Sequence, residues 1–82
     1  MNIINSLSSM VNYPKEKIAK KIREKAIIAT KARIAERNKT FDDYSDDELE
    51  IIIADEERKI TEDLKSKSLV VALAALGLNI FV

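Results

Sequence analysis

The chain has 82 residues, of which 46% are apolar and 34% are charged, and its formal net charge at pH 7 is +0. Cysteine and histidine are absent, which excludes disulfides and thiolate or imidazole metal sites and removes the side chain best suited to proton transfer near neutral pH. A chain of this length buries only about 60 to 65% of its unfolded surface, so self-association is the remaining aid to its stability.

The composition predicts an all-α protein with a single domain over residues 1–82. There is one glycine and one proline, whereas sheets need more turn, aromatic and β-branched residues. The first residues lack a basic region and a long apolar run, so no secretory signal peptide is expected. We therefore expect a cytoplasmic protein. Peripheral attachment to the inner face of a membrane is the alternative location.

Two helices are predicted in the first half of the chain. A short amphipathic helix over about residues 2–12 ends before Pro14, which disfavours helical geometry at the preceding residue and suits the first turn of the next helix. The second helix runs over about residues 14–38. Helical spacing predicts that its main apolar stripe consists of Ile18, Ile22, Ala26, Ala29 and Ala32. Ile27 and Ile34 form a second, thinner apolar line on nearly the opposite side.

A third helix is predicted over about residues 46–76. Ser45 and Glu48 have the spacing of a capping box, in which each side chain accepts a hydrogen bond from the other residue's backbone N–H. Gly77 is a natural stop at the C-terminal end. Ile51 lies on the far side of this helix from its main apolar stripe.

The charges are segregated along the chain. Residues 15–39 carry a balance of +7, whereas residues 42–63 carry a balance of −9. This pattern predicts a long antiparallel hairpin in which the basic helix lies beside the acidic one. Lys25 and Glu56 each interrupt an apolar stripe and fall near one another in that hairpin, so we predict an ion pair between them. The alternative is that both side chains extend to water from the edge of their stripes.

The C-terminal segment is almost wholly apolar. Residues 69–82 would form a helix of about 21 Å, too short to span a hydrocarbon core of about 30 Å. Burial in the protein or its oligomer, membrane contact and partner binding are the three alternatives. Because one neighbour cannot cover a helix that is apolar all round, we predict a homodimer or higher oligomer. The candidate interface residues are Ile27, Ile34, Ile51, Leu69, Leu73, Leu76 and Phe81.

The sequence does not favour catalysis, and it predicts neither a cofactor nor a metal site. The acidic stretch at residues 42–47 lacks the glycine and the loop length of a calcium-binding loop. The function we expect is that of a small interaction or regulatory protein, whose partners are itself and an unidentified protein. The first alternative is a membrane-associated protein anchored through residues 69–82. The second, less favoured, is a nucleic-acid accessory protein that uses the basic helix at residues 15–39.

Overall fold

The computed structural model describes residues 3–5 and 14–78, and within these residues the chain is helical and contains no strand. The three helices of more than one turn are α1 (Lys15–Ala35), α2 (Asp46–Lys65) and α3 (Leu69–Ala75). Residues 3–5 are also helical, and a short 3₁₀ turn lies at Phe41–Asp43 between α1 and α2. Helices α1 and α2 pack closely together. The all-α class is therefore confirmed.

Helix α1 begins after Pro14, whose carbonyl accepts hydrogen bonds from the N–H groups of Lys17 and Ile18 at 3.1 and 3.3 Å. Its other end is closed by Asn38, which has a positive φ of 59°. The Asn38 N–H donates to the carbonyl of Ala35 at 2.9 Å, and the Lys39 N–H donates to that of Ile34 at 3.1 Å. The first bond gives the Ala35 carbonyl a partner at the helix end, and the Ile34 carbonyl also accepts from the Arg37 N–H at 3.0 Å. The regular helix thus ends three residues before the predicted boundary.

Helix α2 begins with the predicted capping box. The Glu48 N–H donates to Ser45 Oγ at 3.2 Å, and the Ser45 N–H donates to Glu48 Oε1 at 2.9 Å. The backbone hydrogen bond from Ser45 stabilises the carboxylate and lowers the pKa of Glu48 below its ordinary value of 4.5. The capping box predicted from the sequence is therefore confirmed.

The predicted third helix is interrupted at Ser66–Ser68, so a single helix over residues 46–76 is wrong. The Asp63 carbonyl at the end of α2 accepts from the Ser66 hydroxyl at 2.6 Å and from the Ser66 N–H at 3.1 Å. Ser68 Oγ then accepts a hydrogen bond from the Val71 N–H at 3.3 Å and caps α3. Because serine side chains compete for backbone partners, two serines within three residues favour a stop and a restart.

The main core cluster lies where the start of α1, the end of α2 and α3 meet. Its buried members are Ile3, Ile18, Ile22, Leu64, Ala72, Leu73, Leu76 and Leu78. Gly77 closes α3 at a positive φ of 76°, and the Leu78 N–H donates to the Leu73 carbonyl at 3.0 Å. This turn returns Leu78 to the core. The N-terminal residues join this cluster through Ile3, which is buried in it, and Ile4, which packs against it.

The buried line along α1 winds around the helix. Its members recur every four residues, and each step turns about 40° further than one full turn. They are Ile18, Ile22, Ala26, Thr30 and Ile34. Ala29 and Ala32 were predicted in this stripe, but Ala29 is half-buried and Ala32 is exposed. The hydroxyl of the fully buried Thr30 donates to the Ala26 carbonyl at 2.8 Å, which removes the cost of an unpaired polar group.

Candidate interaction surfaces

Two arginines of α1 connect it to the acidic side chains of α2. Arg23 contacts Glu50 at 2.6 Å and Glu57 at 3.0 Å. Arg33 contacts Asp55 at 3.1 Å and Glu56 at 3.3 Å. Each guanidinium thus bridges two carboxylates of the neighbouring helix, Arg23 through both of its Nη atoms and Arg33 through Nη1 alone. Neither arginine is then free for the phosphate contacts of a nucleic acid.

The two bridges lie on opposite flanks of the contact between α1 and α2. At 100° per residue, Glu50 and Glu57 lie within about 60° of the buried Ile53 on one side of α2, and Glu56 lies about 60° away on the other. On α1, Arg23 and Arg33 likewise fall on opposite sides of the buried line. The apolar contact is therefore bordered by a guanidinium on each side.

The charged partners shift the pKa values of Arg23, Glu50 and Asp55. The carboxylates of Glu50 and Glu57 raise the pKa of Arg23, and the Arg23 guanidinium lowers the pKa of Glu50. Hydrogen bonds from Arg58 and then Arg33 lower the pKa of Asp55. All three shifts favour the charged forms, as expected for opposite charges in contact.

The predicted ion pair between Lys25 and Glu56 does not form in the described part of the chain. Glu56 is instead held by Arg33 at 3.3 Å and by Lys59 at 3.4 Å. The Glu56 side chain is only 12% exposed, whereas Lys25 is exposed and borders a groove. Arg33 and Lys59 each contact both Asp55 and Glu56, so the Glu56 carboxylate already has two cationic partners.

The structure separates the predicted interface residues into three groups. Ile34, Leu73 and Leu76 are buried within the chain and are not available to a second copy in this conformation. Ile27 and Leu69 are half-buried. Ile51 is 71% exposed, and Phe81 lies outside the described residues. Of the seven residues, Ile51 is therefore the one that the structure places fully on the surface.

Helix α3 is apolar on all sides. Its inner face is formed by Ala72 and Leu73, which are buried in the core. Its outer face consists of exposed residues, namely Val70, Val71, Ala74 and Ala75. We call these four residues the outer face of α3. They form an uncharged surface that no other described part of the chain covers.

A groove of about 460 Å³ lies beside the link between α1 and α2. Its apolar lining comes from Ile34, Ala35 and Phe41, and its charged lining from Lys31, Lys39 and Asp42. The Lys31 ammonium lies over the Phe41 ring, 5.6 Å from its centroid, a cation–π arrangement. We call this feature the link groove. It combines an apolar surface with a net positive charge.

Ile28 is an exposed apolar residue that the sequence analysis missed. Its side chain is 67% exposed and borders a second groove of about 310 Å³ with Lys25, Ala29 and Ile60. The adjacent pair Ile27 and Ile28 was the available signal. Neighbouring residues are about 100° apart on a helix, so one core cannot bury both fully.

Three kinds of comparison bear on the identity of the chain, and each is negative. No protein-family model matches it, and no curated protein and no solved structure is significantly similar to it. Within residues 3–5 and 14–78, no group of three or more acidic side chains is placed to hold a metal ion. None of the described helices is long and apolar enough to cross a bilayer.

Proposed function

We propose that the protein is a small helical interaction or regulatory protein that works by helix packing and self-association, with no chemistry of its own. The observation that carries this proposal is the outer face of α3. Val70 and Val71 are 40% and 50% exposed, beside exposed Ala74 and Ala75. Such a face gains free energy when a partner covers it, because apolar area is removed from water.

A second copy of the chain is the partner that the face fits best. The four side chains carry no charge, so two identical faces can meet around a two-fold axis without repulsion. Ala74 and Ala75 allow close approach of the two helix backbones. The face is small beside the roughly 800 Å² that each partner buries in a standard interface, so we expect weak, reversible dimerisation.

The remaining helices supply a firm support for this face in our proposal. We infer that α1 and α2 form an antiparallel hairpin with matched charges, held by Arg23 and Arg33. The start of α1 and the end of α2 share a core cluster with α3, through residues that include Ile18 and Leu64. A seven-residue helix is too short to be stable alone, so α3 depends on this contact.

Sedimentation velocity of the wild type and Val71→Glu tests the proposal. Residue 71 is the third helical position after the capping Ser68, so a glutamate there completes a capping box and retains the helix while it charges the outer face. We expect the wild type to form dimers as its concentration rises from about 1 μM to 1 mM, and Val71→Glu to associate at least about tenfold more weakly.

The matched control is Ile28→Glu, the same kind of change on an exposed residue outside α3. We expect Ile28→Glu to dimerise like the wild type. A wild type that stays monomeric over this concentration range, or a dimer that Val71→Glu leaves intact, would contradict self-association through α3.

Peripheral membrane contact is the second candidate, because the same outer face could enter a lipid surface. The positive charge beside it is already partly neutralised: Lys65 contacts Glu62 at 3.6 Å, and Lys67 contacts Asp63 at 2.8 Å. Anionic headgroups would have to compete with these carboxylates, which places membrane contact second. Flotation with anionic vesicles of the wild type but not of Val71→Glu, without dimerisation in solution, would reverse the order.

A further inference from the structure

The link groove has the chemistry of a binding site for an acidic, apolar segment. Ile34, Ala35 and Phe41 give it an apolar surface, and Lys31 and Lys39 outnumber the single acid, Asp42. Neither lysine has a carboxylate partner among the described residues. The volume of about 460 Å³ exceeds the roughly 150 Å³ cavity that admits benzene, so a branched side chain fits with room for a neighbour.

The chain itself carries a segment with the complementary chemistry. Ile51 is 71% exposed, and the exposed Ala54 lies three residues further on the same side of α2. Asp47 lies one turn before Ile51 and is exposed, with no partner among the described residues. The other acids within one turn are engaged: Glu48 in the capping box, Glu50 with Arg23, and Asp55 with Arg33.

The segment cannot reach the groove of its own chain. Ile51 lies about 160° around α2 from the buried Ile53, so it points away from α1. The groove, by contrast, is lined by the last turn of α1 and the link. Any contact between the two must therefore join separate molecules.

We propose that Ile51 of a second copy of this chain inserts into the link groove, with the Asp47 carboxylate of that copy facing Lys31 and Lys39. The apolar contact supplies most of the attraction, and the opposite charges set the orientation. The outer face of α3 takes no part in this contact, so the contact can form whether or not the chain dimerises through α3.

Two complementary variants isolate a single contact of this kind, both in the Val71→Glu background that disables the outer face of α3. An isotope-labelled Ile51→Glu copy keeps its groove but loses the inserting side chain. An unlabelled copy with Lys31→Glu and Lys39→Glu keeps Ile51 but loses the groove. Titration of the second into the first is followed by two-dimensional NMR, whose spectra also report whether each variant is folded.

We expect saturable shifts of the backbone amides of Lys39, Thr40 and Phe41 in the labelled copy. An unlabelled copy that also carries Ile51→Glu should produce shifts at least about tenfold weaker at equal concentration. Absence of groove shifts up to about 1 mM, or equal shifts with this control, would overturn the proposal.

A charge exchange checks the proposed orientation. In the same Val71→Glu background, sedimentation should show weaker association for Asp47→Lys alone and for Lys39→Glu alone. Asp47→Lys combined with both Lys31→Glu and Lys39→Glu in one chain should restore it, because each copy then presents a lysine to two glutamates. Ile28→Glu, outside both elements of the contact, should leave association unchanged. Failure of the combined variant to recover would rule out the pairing of Asp47 with the groove lysines.

Discussion

The two isoleucines at positions 18 and 28 allow a stringent test of the core. Both lie within α1, yet Ile18 is 0% exposed and Ile28 is 67% exposed. The substitutions Ile18→Ala and Ile28→Ala remove the same atoms and change helix propensity equally. Any difference in their effect on the free energy of unfolding therefore reports burial alone.

Ile18→Ala should destabilise the fold strongly. Truncation of a buried isoleucine costs about 2–5 kcal/mol, because apolar area is exposed and a cavity remains in the core cluster. An 82-residue domain has a total stability of about 4–12 kcal/mol, so a loss near 3 kcal/mol removes at least a quarter of it. The corresponding fall in Tm is about 12–24 °C. Ile28→Ala should stay within about 0.5 kcal/mol of the wild type.

Urea denaturation followed by far-ultraviolet circular dichroism measures both values. The slope of the free energy against urea should be the same for all three proteins, so that the midpoints alone report the stability difference. Measurements at several protein concentrations separate folding from association. Equal losses for Ile18→Ala and Ile28→Ala would refute the assignment of the core, since they would mean that both residues are covered to the same extent.

Two further predictions concern the end of α3 and acid stability. Gly77→Ala should destabilise the fold by about 1 kcal/mol, because the φ of 76° at this position is unfavourable for alanine. An added Cβ meets no atom within 4 Å, so the loss comes from the backbone conformation and not from a steric clash. Thermal unfolding should show a smaller loss for Gly77→Asn. Arg23 lowers the pKa of Glu50, so the contact between the two side chains stabilises the fold fully above the ordinary pKa of 4.5. This stabilisation is lost as the pH falls through the lowered pKa. The Tm advantage of the wild type over Glu50→Gln should therefore disappear in acid; an advantage that persists unchanged would contradict it.

Local rules predicted the features that depend on neighbouring residues. The helical class follows from composition, and the capping box follows from the spacing of Ser45 and Glu48. The exposure of Ile51 follows from its angle around the helix. The capping box and the angle of Ile51 depend on fewer than two turns of chain, and composition requires no contact at all, so no long-range contact had to be known.

The incorrect predictions concern positions where the sequence is compatible with more than one side-chain pairing or more than one buried face. The pairing of Lys25 with Glu56 was inferred from position along the predicted hairpin, but Arg33 and Lys59 hold the Glu56 carboxylate instead. The assignment of Ile34 to the surface assumed one fixed apolar stripe, whereas the buried line winds around α1. The grooves could not be predicted, because the link groove depends on how Phe41 folds back towards α1.

The placement of the two arginines on opposite flanks has a consequence for the alignment of α1 and α2. A slide of one helix by a single turn, about 5.4 Å, would part both guanidinium groups from their acids together. A roll of α2 about its own axis would draw one flank closer while it opened the other. Sliding and rolling are thus both opposed, so that a pair of surface arginines selects one alignment among the many that an aliphatic seam alone would tolerate.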